Sequence, residues 1–212
     1  MNNNHPLSDT LLDKIQHETY GLFPTPVTKY TCPNHKELKE QILLWMNESK
    51  ILEKHGRESI CHNVVQVGNN NECVNAIPEL HRTIIDAVDK HNNNSVKYKS
   101  NFSINDSYLE LASEGAIYAP HEVSNCLFSL CYFINYNKED HSYIKWRRNI
   151  ASAHYPIIQI DSTELTPYNM TEATFEINEG DIIIFPSNLT HGYDTNPKNE
   201  RITLTANITP SN

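Results

Sequence analysis

Two stretches near the C-terminal end decide the fold: Glu179-Gly180-Asp181-Ile182-Ile183-Ile184-Phe185-Pro186-Ser187 and Arg201-Ile202-Thr203-Leu204-Thr205-Ala206-Asn207. In the first, a tight turn at Gly180 feeds a buried apolar strand that Pro186 stops, because proline has no N–H to give to a ladder. In the second, period-two alternation puts Arg201, Thr203, Thr205 and Asn207 on one face and Ile202, Leu204 and Ala206 on the other. Between them lies Thr190-His191-Gly192-Tyr193, with His191 ten residues before Arg201. A polar face turned to solvent would make this an ordinary half-buried strand, the more usual outcome for such a pattern taken alone. Turned into a barrel, the guanidinium and hydroxyls would line a pocket suited to a carboxylate, which arginine binds through a bidentate fork.

Further short apolar or β-branched runs precede these, at Ala116–Tyr118, Leu127–Ile134, Tyr155–Ile160 and Ala173–Ile177. Turn residues separate them, including Asn135–Asn137, Asp161–Ser162 and Pro197–Asn199. Many short strands without intervening helices predict an antiparallel barrel or sandwich rather than a parallel α/β sheet. The first half reads differently. Asn34, with Glu37 three residues on, can cap a helix carrying Leu38, Ile42 and Trp45 at helical spacing. A second helix is expected over Ile77–Lys90, with Leu80, Ile84, Ile85 and Val88 as its apolar stripe and Asn92–Asn94 ending it. The expected architecture is a single domain over 1–212, mainly β with N-terminal helices. Residues 1–100 form a helical buttress and 101–212 a jelly-roll (double-stranded β-helix, cupin-like) core.

The chain has 212 residues, enough for one sizeable core, and a formal net charge of −9 that argues against a nucleic-acid partner. The basic cluster Lys145-Trp146-Arg147-Arg148 is the local exception, and a solvated strand end explains it more simply than an anion site. Five cysteines at irregular spacing, with no CxxC pair, fit a reducing compartment. The Met1–Asp13 start lacks a signal-peptide pattern and no window has the length of a membrane span. A cytoplasmic protein, with no membrane partner, is the expectation; a homodimer stays open.

A second block, Gly115-Ala116-Ile117-Tyr118-Ala119-Pro120-His121-Glu122-Val123, places a histidine at a strand end. A lone histidine is more often structural than a ligand. The blocks together, however, resemble a family. Gly-x4-Pro-His, Ser129-Leu130-Cys131-Tyr132-Phe133, Gly-Asp-Ile-Ile-Ile-Phe-Pro-Ser, and His and Arg ten apart are similar to the Fe(II)/2-oxoglutarate-dependent oxygenases. The nearest pattern is that of their small bacterial and phage members. Leu22-Phe23-Pro24-Thr25-Pro26 resembles the opening motif of that subgroup, and Ser107-Tyr108-Leu109-Glu110 its Ser-Trp strand before the first histidine. The likeness runs from about residue 22 to 208, densest over Ser107–Phe133 and Gly180–Asn207.

The resemblance implies roles. His121 and His191 match the proximal and distal metal ligands, Arg201 the anchor of the far carboxylate of 2-oxoglutarate, and Thr203 a hydroxyl assisting it. Tyr118 and Tyr132 fall where side chains often line the cosubstrate pocket, though aromatic packing explains them equally well. The family's carboxylate ligand follows its first histidine by two residues, and here that position is Val123, which cannot coordinate. A facial triad needs two histidines and a carboxylate on one side of the metal. Glu122 could ligate through a bulge, a carboxylate could come from elsewhere, water or halide could fill the position as in halogenases, or the site could be degenerate. The expected cofactors are Fe(II) and 2-oxoglutarate, acting on an unspecified small-molecule or protein substrate. The alternatives are a jelly-roll binding or structural protein, or a cupin-like metal protein that does not use 2-oxoglutarate.

Overall fold

A computed structural model describes Glu18 and residues 24–48, 54–55, 61–148 and 163–211. Leu22 and Phe23 of the opening motif, and the strand expected over Tyr155–Ile160, lie outside the described residues.

The chain runs β1 (Thr28–Thr31), α1 (His35–Glu48), β2 (Lys54–His55), β3 (Cys61–Val67), α2 (Glu72–Ala76), α3 (Pro78–His91), β4 (Asn101–His121), β5 (Phe128–Asn135), β6 (Ile144–Arg147), β7 (Glu172–Ala173), β8 (Asp181–Pro186), β9 (Thr190–Tyr193) and β10 (Arg201–Ser211). All strand pairs are antiparallel, in the order β1-β8-β5-β10-β4-β9-β6-β7, with β3 on β4 and β2 on β3. The segment 1–100 is thus not only helical, since β1 and β3 join the main sheet. Over Ala173–Ile177, only the Glu172–Ala173 end pairs as strand.

Both helices form largely where their apolar spacing predicts. The Asn34 side chain joins the two helical regions: its Oδ1 accepts from Cys32 Sγ at 3.2 Å and its Nδ2 donates to Glu79 Oε1 at 3.2 Å. Pro78 opens α3, where its missing N–H has no intrahelical acceptor to lose. Beyond His91 a π-helical turn over Asn92–Val96 carries the chain on to Lys97 before it leaves the helix axis. Among the described residues, no helix is long and apolar enough to cross a membrane.

The central strands are buried on both faces, which resolves the open question about β10. On the helix side, Leu38, Ile42, Leu80, Ile84 and Val88 pack against Leu109, Leu130, Tyr132, Ile182, Ile184, Leu204 and Ile208. On the other side, the curl of the sheet encloses Ala112, Tyr118, Cys131, Phe133, Ile144, Trp146, Ile183, Phe185 and Tyr193. Alternation delivers β10 to both at once: its even-numbered apolar residues face the helices, while Arg201, Thr203 and Thr205 face the enclosed side and are buried. The polar face therefore looks inward.

Candidate metal and cosubstrate site

The upper wall of the enclosed side is built where β9 crosses β4. His121 and His191 are directly opposed in register, and their ring centroids are 4.5 Å apart. Regular alternation from Tyr118 would turn His121 to the opposite face. A register shift between Tyr118 and His121 corrects this, as a bulge does when it re-aims a side chain. Gly192 lets the strands approach: a Cβ there would sit 2.6 Å from the Tyr118 carbonyl oxygen.

Each imidazole is oriented by a backbone carbonyl two residues earlier. His121 Nδ1 lies 2.9 Å from the Ala119 oxygen, and His191 Nδ1 lies 2.8 Å from the Leu189 oxygen. A carbonyl can only accept, so Nδ1 carries a proton in both rings, and in the neutral imidazole the lone pair is then on Nε2. This is the tautomer a metal-binding histidine requires, fixed by the outer-shell bond that such ligands usually make. Burial, and then the neighbouring His121, push the His191 pKa down to about 4, so that ring is neutral and ready to donate at neutral pH.

The lower part of the same face carries charge. Arg201, 1% exposed, lays its guanidinium carbon 3.8 Å from the centroid of the Tyr193 ring. Its Nη1 donates to the Ser142 hydroxyl at 2.5 Å and to the Ser142 carbonyl at 3.2 Å. Ser142 is held in turn by the Oδ1 of fully buried Asn196, which accepts from the Ser142 N–H at 3.0 Å. Across the ladder from Thr203 stands Glu110, and the Thr203 hydroxyl donates to its Oε2 at 3.3 Å. Glu110 is buried, and burial drives its pKa up against the opposing pull of Arg201, Thr203, Tyr118 and Thr205.

No family model and no curated protein matches the sequence. Solved structures do match the fold. A prolyl-4-hydroxylase from Pseudomonas putida aligns at a TM-score of 0.56 and 15% identity, over 90% of this chain and 95% of that one. HygX from Streptomyces hygroscopicus, solved with nickel and 2-oxoglutarate, aligns at 0.58 and 12% identity, over 88% and 84%. A Burkholderia pseudomallei oxidoreductase of the 2OG-Fe(II) oxygenase family aligns at 0.57 and 11% identity, over 86% and 84%. The fold is that of the Fe(II)/2-oxoglutarate oxygenases.

Within this oxygenase fold the residues expected from sequence divide. His121, His191, Tyr118, Arg201 and Thr203 come together on the enclosed face, with the Tyr118 ring 4.8 Å from that of His121. Tyr132 does not. An even-numbered residue of β5, it points to the helix side, where its hydroxyl meets His35 Nδ1 at 2.7 Å. This corrects its assignment to the cosubstrate pocket, and the reason is strand parity: Cys131 and Phe133 take the inward positions. Glu122 is exposed and accepts from the Thr190 hydroxyl at 2.8 Å. Among the described residues no group of three His, Cys, Asp or Glu is placed to hold a metal ion.

Among the described residues the donor set therefore fits a metal through two imidazoles, with Val123 at the position where the resemblance expects the third ligand. A polar ligand beside them fits as well. Arg201 Nε and Trp146 Nε1 are buried donors with no partner among the described residues, a costly state that a bound acceptor relieves. Trp146 faces His191 across β6 and β9.

Glu110, Ser142 and Tyr193 are residues of the candidate site that sequence reasoning passed over. Tyr193 was accessible, since alternation puts it on the same face as His191. Glu110 gave a weaker signal, one carboxylate between Leu109 and Leu111 in a strand of undetermined facing. Ser142 lies in a loop and gave none.

Proposed function

We propose that this chain is an Fe(II)- and 2-oxoglutarate-dependent oxygenase whose metal is held by two histidines. The observation that carries the reading is the opposed pair His121 and His191, each with Nδ1 bonded to a backbone carbonyl, the arrangement that puts the lone pair of the neutral ring on Nε2. When bound, iron and 2-oxoglutarate would supply the oxidising power, one dioxygen being consumed as the 2-oxo acid leaves as succinate and carbon dioxide.

The protein's own share is orientation and exclusion of water. His121 and His191 fix the metal at the crossing of β4 and β9. Arg201, seated on Tyr193 and pinned by Ser142, offers its guanidinium edge to the far carboxylate, with Thr203 beside it. Phe133, Ile144, Ile183 and Phe185 keep the surroundings apolar, which strengthens every charge contact inside. The position that Val123 cannot fill is left to a small ligand from solution, water or halide. Hydroxylation and halogenation of a small-molecule or protein substrate are both compatible with that arrangement.

Anaerobic titration of the protein with Fe(II) and 2-oxoglutarate tests the proposal. A weak visible charge-transfer band should appear and be lost in His191→Ala and Arg201→Ala. Absence of the band in the wild type would sink it. Val123 favours a second reading, a jelly-roll binding or structural protein without metal chemistry. That reading predicts that Fe(II) or Mn(II) leaves the melting temperature unchanged, whereas a ligand bound to the native state alone must raise it.

A further inference from the structure

Glu110 is a buried carboxylate in the place where an incoming carboxylate is expected. It opposes Thr203 in the β4–β10 register, while Arg201 opposes Ala112 two positions along. Glu110 and Arg201 are thus diagonal neighbours on one face, a spacing of about 7–8 Å or somewhat less at the Cβ positions that long side chains can bridge. Both are buried, and Glu110 is tied down by the Thr203 hydroxyl. The far carboxylate of 2-oxoglutarate would have to share Arg201 with it. Resting on the oxygenase reading above, we propose that Glu110 sets cosubstrate choice: its carboxylate already balances Arg201, so a dianionic 2-oxo acid seats only when one proton enters with it.

The proton comes from solvent and resides on a Glu110 carboxyl oxygen, converting an acceptor into a donor toward the arriving carboxylate. Other groups facing Glu110 do not compete for it. They are Cys61 on β3, Tyr108 and Tyr118 on β4, Cys131 on β5 and Tyr193 on β9. Burial raises the pKa of every one of these thiols and phenols, so all are already protonated near neutrality. Arg201 is the fixed positive charge of the set. Burial raises the Glu110 pKa while Arg201 and the Thr203 hydroxyl hold it back, and a second anion beside it raises it further. Binding of 2-oxoglutarate must then weaken as pH rises, by up to about tenfold per unit between the Glu110 pKa of the free protein and that of the complex. A 2-oxo acid with an uncharged far end escapes this linkage.

The experiment is calorimetric titration of Mn(II)-saturated protein, from about pH 6 to about pH 8.5, in buffers of different protonation enthalpy. 2-Oxoglutarate is compared with 2-oxopentanoate, which has the same chelating end and a methyl group at the other. Uptake of up to one proton with 2-oxoglutarate and none with 2-oxopentanoate is expected. Glu110→Gln should bind 2-oxoglutarate with little pH dependence and at least about tenfold more tightly than wild type at the alkaline end. Equal pH dependence for the two ligands in the wild type would place the proton at the metal end and overturn the proposal. This comparison decides the matter even if Glu110→Gln fails to fold. Retention of proton uptake by a folded Glu110→Gln overturns it too. If neither protein binds 2-oxoglutarate at any pH, the oxygenase reading falls and this inference with it.

Discussion

Gly192→Ala tests whether the β4–β9 crossing is what makes the metal pair. The new Cβ would lie 2.6 Å from the Tyr118 oxygen, 3.0 Å from the Pro120 nitrogen and 3.1 Å from the Ala119 carbon. All three are backbone atoms, so no side chain can swing aside. Restoring ordinary contact, at 3.4 Å or more, moves the strands apart by about 3.4 − 2.6 = 0.8 Å. Overpacking of this kind costs about 1–3 kcal/mol. In a domain of this size each kcal/mol lowers Tm by roughly 2–4 °C, giving a fall of about 2–12 °C. Metal-ligand distances tolerate only about 0.2 Å, so the separated imidazoles should chelate poorly. Differential scanning fluorimetry with and without Mn(II) measures both effects: a lower Tm, and loss of most of the metal-induced rise. The reasoning is refuted if the variant melts within about a degree of wild type and keeps the full rise.

Three other outcomes are expected. His191 has a folded pKa near 4 against 6.5 for the free side chain, so between those values the unfolded state binds more protons and stability rises with pH. On the order of 3 kcal/mol should be lost by metal-free protein as pH falls through that window, and denaturant midpoints for wild type and His191→Asn, compared from neutral to acid pH, report it. Tyr132→Phe removes the bond to His35 and should cost about 0.5–1.5 kcal/mol in urea unfolding while leaving 2-oxoglutarate affinity unchanged, in contrast to Arg201→Ala. Burial pushes the Cys73 and Cys131 thiols up to about 12, so in timed alkylation read by mass spectrometry half-buried Cys126 should react before either.

The legible part of this molecule was the part written in period two. Arg201, Thr203 and Ile202 to Ala206 declare two faces in a single strand, and only the curl of the sheet, which no local pattern encodes, decides that the polar face is inside. The resemblance misplaces Tyr132, and the sequence could not correct it, because five apolar or aromatic positions follow in succession from Leu130 to Ile134 and a strand buried on both faces offers no polar residue to mark the inward side. For His121 the alternation itself fails: a register shift after Tyr118 sets its facing, and a bulge leaves no reliable trace in residue type.

Val123 and Glu110 acquire meaning only together. In the family pattern that this sequence resembles, a carboxylate stands beside the metal and the arginine is left for the cosubstrate. Here, among the described residues, no carboxylate joins the two histidines, and a buried one neighbours the arginine instead. If Glu110 stays ionised, the pocket has the same total charge as the usual arrangement, but the negative charge sits at the wrong end for a dianionic ligand. If Glu110 takes a proton, the anchor end is balanced and one positive charge at the metal has no counterpart. An anion from solution in the position next to Val123 supplies it. The near carboxylate of the 2-oxo acid lowers the charge at the metal by one, so halide and 2-oxoglutarate should bind with negative coupling, each lowering the affinity for the other by the same factor. Chloride titration of the Mn(II) protein with 2-oxoglutarate and with 2-oxopentanoate measures it. Equal antagonism by the two ligands in wild type, and stronger antagonism by 2-oxoglutarate in Glu110→Gln, ties the two ends of the pocket together, and stronger antagonism by 2-oxoglutarate already in wild type breaks that link.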